Sequence, residues 1–139
     1  MTEGDRWLVE WNAKPFYRWP GFRIVEAHAG QARVELDVQD HHRGGGGTRA
    51  INGGILAYMF DGLLGAAVFS SREDIVGQVT VTLTIHYLRM LQAEHRVVGT
   101  ARVVSGGRNL VFAEGEVMDE AGNVCATCTG VYRIYTQTS

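Results

Sequence analysis

Hydrophobic and polar positions along the chain follow two distinct rhythms. Thr80-Val81-Thr82-Leu83-Thr84-Ile85-His86-Tyr87 alternates strictly, which predicts a strand within Val76 to Met90. Ala32, Val34, Leu36 and Val38 alternate in the same way, so Gln31 to Val38 is a strand, paired with Phe22 to Ala29 across a turn at Ala29-Gly30. His95 to Val104, Leu110 to Met118 and Val124 to Tyr135 are further strands, separated by turns at Ser105-Gly106-Gly107 and Asp119 to Asn123. Gly53 to Ser71 breaks the rhythm. Ile55, Leu56, Met59, Phe60, Leu63, Leu64, Val68 and Phe69 make it apolar almost all round, which predicts a helix buried on most sides. Trp7, Leu8 and Trp11 stand at helical spacing in an N-terminal arm, residues 1–20, whose helix should stop near Lys14-Pro15.

The order is therefore short helix, two strands, one long apolar helix, then the remaining strands. Such a helix needs a surface that wraps it, and a curved antiparallel sheet of five or six strands provides one. The expectation is an α+β chain of the hotdog fold, a single domain over residues 1–139. One wrapped layer leaves part of the helix uncovered. Pairing with a second copy closes the gap, so a homodimer or homotetramer is expected.

Composition narrows the function. Apolar residues make up 45% and charged residues 20%, a globular balance, and the formal net charge of −2 argues against a nucleic-acid partner. The apolar stretch could be mistaken for a membrane span, but Asp61 lies near its middle. A carboxylate there costs about 2.5–3.5 kcal/mol on insertion scales, so no membrane partner is expected. The polar start, Met1 to Asp5, has no signal-type apolar stretch behind it, which predicts a cytoplasmic location. Cys125 and Cys128 form a lone C-x-x-C on a predicted strand. Positions i and i+3 of a strand face opposite ways, so the pair reads as two reduced strand residues.

Candidate chemistry concentrates in Ile51-Asn52-Gly53-Gly54-Ile55-Leu56-Ala57-Tyr58-Met59-Phe60-Asp61. The two glycines let another group approach the start of the helix closely. The free N–H groups of that first turn, at Gly53 and Gly54, carry the positive end of the helix dipole and could hold a developing oxyanion. Asp61 is the only charged residue between Ala50 and Arg72. A carboxylate alone on an apolar helix is costly to bury, so it is either hydrogen-bonded or used in chemistry.

This stretch, with Ile85-His86-Tyr87-Leu88-Arg89 and Gly107-Arg108-Asn109-Leu110-Val111-Phe112, resembles the phenylacetate-pathway type of hotdog acyl-CoA thioesterases from about Phe22 to Tyr135. The resemblance implies hydrolysis of an acyl-CoA or aryl-acyl-CoA to a carboxylic acid and CoA, without metal or redox cofactor. It implies Asp61 as base or nucleophile, Gly53 N–H as oxyanion donor and Thr80 as the residue that orients water, in a site shared by two subunits. It makes Gly54, Arg89 and Arg108 candidates for substrate contact, the arginines toward CoA phosphates. The chain departs from the family in having Asn52 where His is usual; Asn52 is a candidate catalytic residue there, its side chain a second donor to the oxyanion beside Gly53. Gly44 to Gly47 stand where an Asn or Gln often polarises the thioester. Both departures motivate an alternative, a non-hydrolytic binder of acyl-CoA or another hydrophobic ligand.

Asp40-His41-His42 suggests an acid/base pair of a hotdog dehydratase or hydratase, or a metal site, but reads more simply as a solvated loop. His86 reads as a hydrogen-bonded surface or interface residue. Tyr58, Met59, Phe60 and Phe69 are candidates either for an acyl pocket or for the core.

Overall fold

The computed structural model describes residues 6–137. Helix α1 (Arg6–Asn12) and the single turn α2 (Pro15–Arg18) lead into β1 (Phe22–His28) and β2 (Gln31–Asp37). A 3₁₀ turn over Asp40–His42 and a glycine-rich loop precede α3 (Gly53–Ser70). Strands β3 (Ile75–Tyr87), β4 (Arg96–Gly106), β5 (Leu110–Met118) and β6 (Val124–Thr136) complete one antiparallel sheet in the order β1-β2-β4-β5-β6-β3.

Helix α3 touches all six strands, which is possible only because the sheet curves around it. This is the expected hotdog arrangement. Leu56, Met59, Phe60, Leu63, Leu64 and Val68 are buried against Val34, Leu36, Val97, Val111, Val117 and Ile134. The sheet yields where the helix presses hardest. A Cβ added at Gly99 would lie 2.8 Å from Leu63, and one at Gly115 or Gly130 would lie 2.9 or 2.8 Å from Leu64. Glycine at these strand positions lets the leucines sit on bare backbone. By length and composition α3 could cross a membrane, but here it forms the core of the domain.

The first helix stops near Lys14-Pro15 as expected: α1 closes at Asn12, and the Ala13 and Lys14 N–H groups still reach back to the Val9 and Trp11 carbonyls (3.2 and 3.0 Å). The Asn12 amide pairs with both backbone groups of Ile24 (2.8 and 2.9 Å). Other boundaries move. Pro15 does not stop a helix but opens α2, at the first-turn position that needs no N–H. Strand β3 ends at Tyr87 rather than Met90, and β4 runs on to Gly106. A bulge in β6 leaves Cys125 without a β5 partner. Both cysteines are buried and free, and burial first of all pushes the Cys128 thiol up to about 11, so it stays protonated.

The solvated reading of Asp40-His41-His42 fits its first two residues and fails for His42, which is fully buried. Its Nδ1 accepts from the Gln39 N–H (2.9 Å), so Nε2 carries the proton and donates to the Pro20 carbonyl (2.6 Å). Its own carbonyl accepts from the Asn52 N–H (2.8 Å). A neutral imidazole thus ties the N-terminal arm to the start of α3.

Burial lowers the His42 pKa more than the Pro20 carbonyl raises it. The unfolded chain therefore takes up this proton more readily than the folded one. The stability that depends on neutral His42 is complete above about pH 6.5 and is lost progressively below it. Denaturant unfolding should show a lower midpoint at pH 5.5 than at pH 7.5. A His42→Gln variant should be less stable at both values but show a smaller difference between them. An equal pH difference in the two proteins would show that another group carries it.

Candidate active site

Asp61 projects from the middle of α3 toward β3 and β6. Two hydroxyls meet the same oxygen of its half-buried carboxylate: Thr80 Oγ1 donates to Oδ1 at 2.7 Å and Tyr132 Oη at 3.0 Å. The Tyr132 hydroxyl also lies 2.9 Å from the Asp61 backbone carbonyl. Thr80 and Tyr132 are register partners across β3 and β6, so they share a face of the sheet. A bulge between Thr80 and Thr82 re-aims β3 at this point. No partner for Asp61 Oδ2 is found among the described residues. Burial, and after it the negative charge of Asp61, pushes the Tyr132 phenol pKa up and keeps it a donor.

Asp61, Thr80 and Tyr132 line a cleft of about 440 Å³ with Trp11, Phe16, Tyr17, Phe69 and Gln78. The N-terminal arm supplies one aromatic wall. It is held there by Tyr17 Oη donating to the Gly62 carbonyl (2.9 Å), with Phe16 stacked on Tyr58. Gln78 Nε2 donates to the Gly65 carbonyl (2.8 Å), while its buried Oε1 finds no partner among the described residues. Of the four residues offered as pocket or core, Phe69 lines this cleft, Met59 and Phe60 are fully buried core, and Tyr58 packs against the arm.

The start of α3 forms a second, separate cleft of about 300 Å³, lined among others by Gly53, Tyr87, Arg89 and Met90. Asn52 caps the helix. Its Oδ1 accepts from the Gly54 N–H (2.7 Å), and its Nδ2 donates to the Gly44 carbonyl (2.8 Å). The expectation that both glycine N–H groups face outward is corrected for Gly54, whose N–H is consumed by this cap. No partner is found for the Gly53 N–H among the described residues. Tyr87 Oη donates to the Gly53 carbonyl (2.6 Å), and a Cβ at residue 53 would lie 3.3 Å from the Tyr87 ring.

Thus the structure brings Thr80 to Asp61, and Asn52 and Arg89 to Gly53, but keeps the two groups apart. Eight residues of helix separate Gly53 from Asp61, about 12 Å along the axis. Arg108 belongs to neither cleft. It sits on the β4–β5 turn, whose Gly107 carbonyl accepts from Arg72 just beyond the C-terminal end of α3 (3.2 Å). Asp40 and His41 are exposed, so with His42 committed to the backbone they make no dehydratase-type pair in either cleft. No metal-binding group of three is found among the described residues. His86 is exposed on the edge strand β3. Tyr132 went unrecognised in the sequence. Its only signal there is a phenol on an inward-facing strand position, which nothing local connects to Asp61.

Comparison with known proteins places the chain and its fold. A family model described as the thioesterase superfamily matches residues 49–126. Human acyl-coenzyme A thioesterase 13 is 27% identical over 124 residues, covering 87% of this chain and 86% of that protein. Among solved structures, a conserved protein of Pseudomonas aeruginosa superposes with a TM-score of 0.81 at 28% identity, over 91% of this chain and 98% of that one. A mutant of the phenylacetic acid degradation protein PaaI of Thermus thermophilus superposes with 0.76 at 26% identity, over 86% and 98%.

The cap geometry makes a prediction about Asn52. Asn52→Ala removes both the Gly54 and the Gly44 hydrogen bonds and should cost about 1 kcal/mol of stability. Asn52→Asp restores the cap acceptor but not the donor to Gly44, so it should recover only part of that loss. Chemical denaturation of the three proteins measures this, and an Asn52→Ala protein as stable as the parent would contradict it.

Proposed function

This chain belongs to the thioesterase superfamily and is a thioester hydrolase, and on that premise we propose that it cleaves an acyl-CoA or aryl-acyl-CoA to a carboxylic acid and free CoA. The observation that carries the reading is the Asp61 carboxylate, held by two hydroxyl donors at the wall of an aromatic cleft with one oxygen left over. The human relative, named for acyl-coenzyme A, supports CoA as the leaving group.

In this reading a thioester carbonyl carbon lies within reach of Asp61 Oδ2. The carboxylate takes a proton from a water that adds to that carbon, or adds to it directly and forms a mixed anhydride that water then opens. Either addition places negative charge on the carbonyl oxygen. Collapse breaks the C–S bond: in the first route the CoA sulfur takes the proton held by Asp61 and the carboxylic acid remains, and in the second the sulfur takes a proton from solvent and the anhydride remains, which water opens to the carboxylic acid and free Asp61. Thr80 donates its proton to Asp61, so toward a water it has only lone pairs to offer.

The oxyanion needs a donor about 3 Å away, and the attacking oxygen must lie within about 3–3.5 Å of the carbon. A separation of about 12 Å along one helix cannot meet both conditions. A second copy can supply the Gly53 N–H. Strand β3 favours such pairing. It is an edge strand of 13 residues, and Val76, Val79 and Val81 on it are more than half exposed. A long apolar edge of this kind is a template for another chain. Arg89 lines the cleft beside Gly53 and, in this reading, would meet a CoA phosphate there. The aromatic wall beside Asp61 suits an aryl or alkyl acyl group.

Release of free thiol from a panel of acyl-CoA thioesters tests the reading. Asp61→Asn should lower kcat by about two to four decades in a folded protein. Gly53→Val, which displaces Tyr87 and blocks the approach to the helix start, should lower it by about two decades or more. Tight acyl-CoA binding without thiol release would favour the non-hydrolytic alternative. Unchanged turnover in folded Asp61→Asn would remove the assigned base or nucleophile.

A further inference from the structure

Asp61 accepts two hydrogen bonds on one oxygen and, among the described residues, none on the other, an asymmetry beyond what burial requires. Satisfying a half-buried carboxylate would be met as well by one donor on each oxygen. Here Thr80 Oγ1 (2.7 Å) and Tyr132 Oη (3.0 Å) converge on Oδ1. The phenol also reaches the Asp61 backbone carbonyl (2.9 Å). Its single proton is therefore shared between the backbone and the side chain of the same residue, which pins the Asp61 rotamer relative to its own helix turn. The phenol itself cannot move far. Tyr132 is 2% exposed, and β6 is paired on both sides, to β5 and to β3.

From this geometry we infer that Tyr132 is a positioning residue for hydrolysis: with Thr80 it clamps Asp61 Oδ1 and so fixes Oδ2 as the oxygen presented to the thioester. The inference rests on the proposed role of Asp61. Of the two hydroxyls, that of Tyr132 is carried on a buried side chain of a strand paired on both sides, and it provides the fixed reference. Holding a reacting group to within fractions of an ångström affects the chemical step more than binding, so the loss should fall on kcat.

The test compares the parent with Tyr132→Phe, Thr80→Val, the double variant and Asp61→Asn, by thiol release from one good acyl-CoA and by denaturant unfolding. Tyr132→Phe keeps the buried ring and removes only the hydroxyl. It should lower kcat about tenfold or more, leave KM within about twofold, and unfold at a midpoint close to the parent's. The two single losses should not multiply in the double variant, because both hydroxyls act on one oxygen. A purely structural tyrosine would change the unfolding midpoint and give multiplicative losses. If Asp61→Asn is slow while Tyr132→Phe turns over at the parental rate, or if the single losses simply multiply, the positioning role is overturned and the assignment of Asp61 stands. If Asp61→Asn turns over at the parental rate, both fall.

Discussion

The seating of α3 within the sheet is the constraint on which everything else depends. A helix with almost no polar face cannot be left on a surface, so the sheet must curve around it. Leu63 and Leu64 press on strand backbone at Gly99, Gly115 and Gly130, where any side chain would crowd them. That contact fixes the helix against β4, β5 and β6. It thereby fixes where Asp61 meets β3 and β6, and where the first turn opens beside Tyr87 and the glycine loop.

The chemistry follows from what the same helix cannot hide. Asp61 is the only charged residue of α3, and the sheet answers it with two hydroxyls on one oxygen. Of the two glycine N–H groups in the first turn, Asn52 consumes that of Gly54, and that of Gly53 finds no partner among the described residues. These two features lie on one rigid rod about 12 Å apart. A reaction that needs both must draw them from different copies. In the proposed reading that second copy adds at the valine-rich edge of β3. The N-terminal arm, tied down through Tyr17 and through the buried His42, closes the aromatic side of the Asp61 cleft.

Much of this was legible in the sequence where the cause is local. Period-two alternation marked the strands, the apolar run marked α3, and the isolation of Asp61 marked the site. Thr80 came from family resemblance, and the sheet does bring it to Asp61. What depends on distant chain was not legible. Tyr132 is 71 positions from Asp61 and meets it only through the register of β6 against β3. The burial of His42 depends on Pro20, 22 residues earlier. Met59 and Phe60 share their apolar character with Phe69, and only the wrapping of the sheet decides which of them the cleft reaches.

The central claim is that one copy's Asp61 works with another copy's Gly53. Co-expression of Asp61→Asn and Gly53→Val chains under two different tags, with isolation of all assemblies and a thiol-release assay, tests it directly. Each variant alone lacks one half of every site. Random pairing makes about half of the dimers mixed, and each mixed dimer has one of its two sites intact, so about a quarter of the parental activity should return. Mixed assemblies that are shown to form and yet stay as inactive as either variant alone would contradict the account.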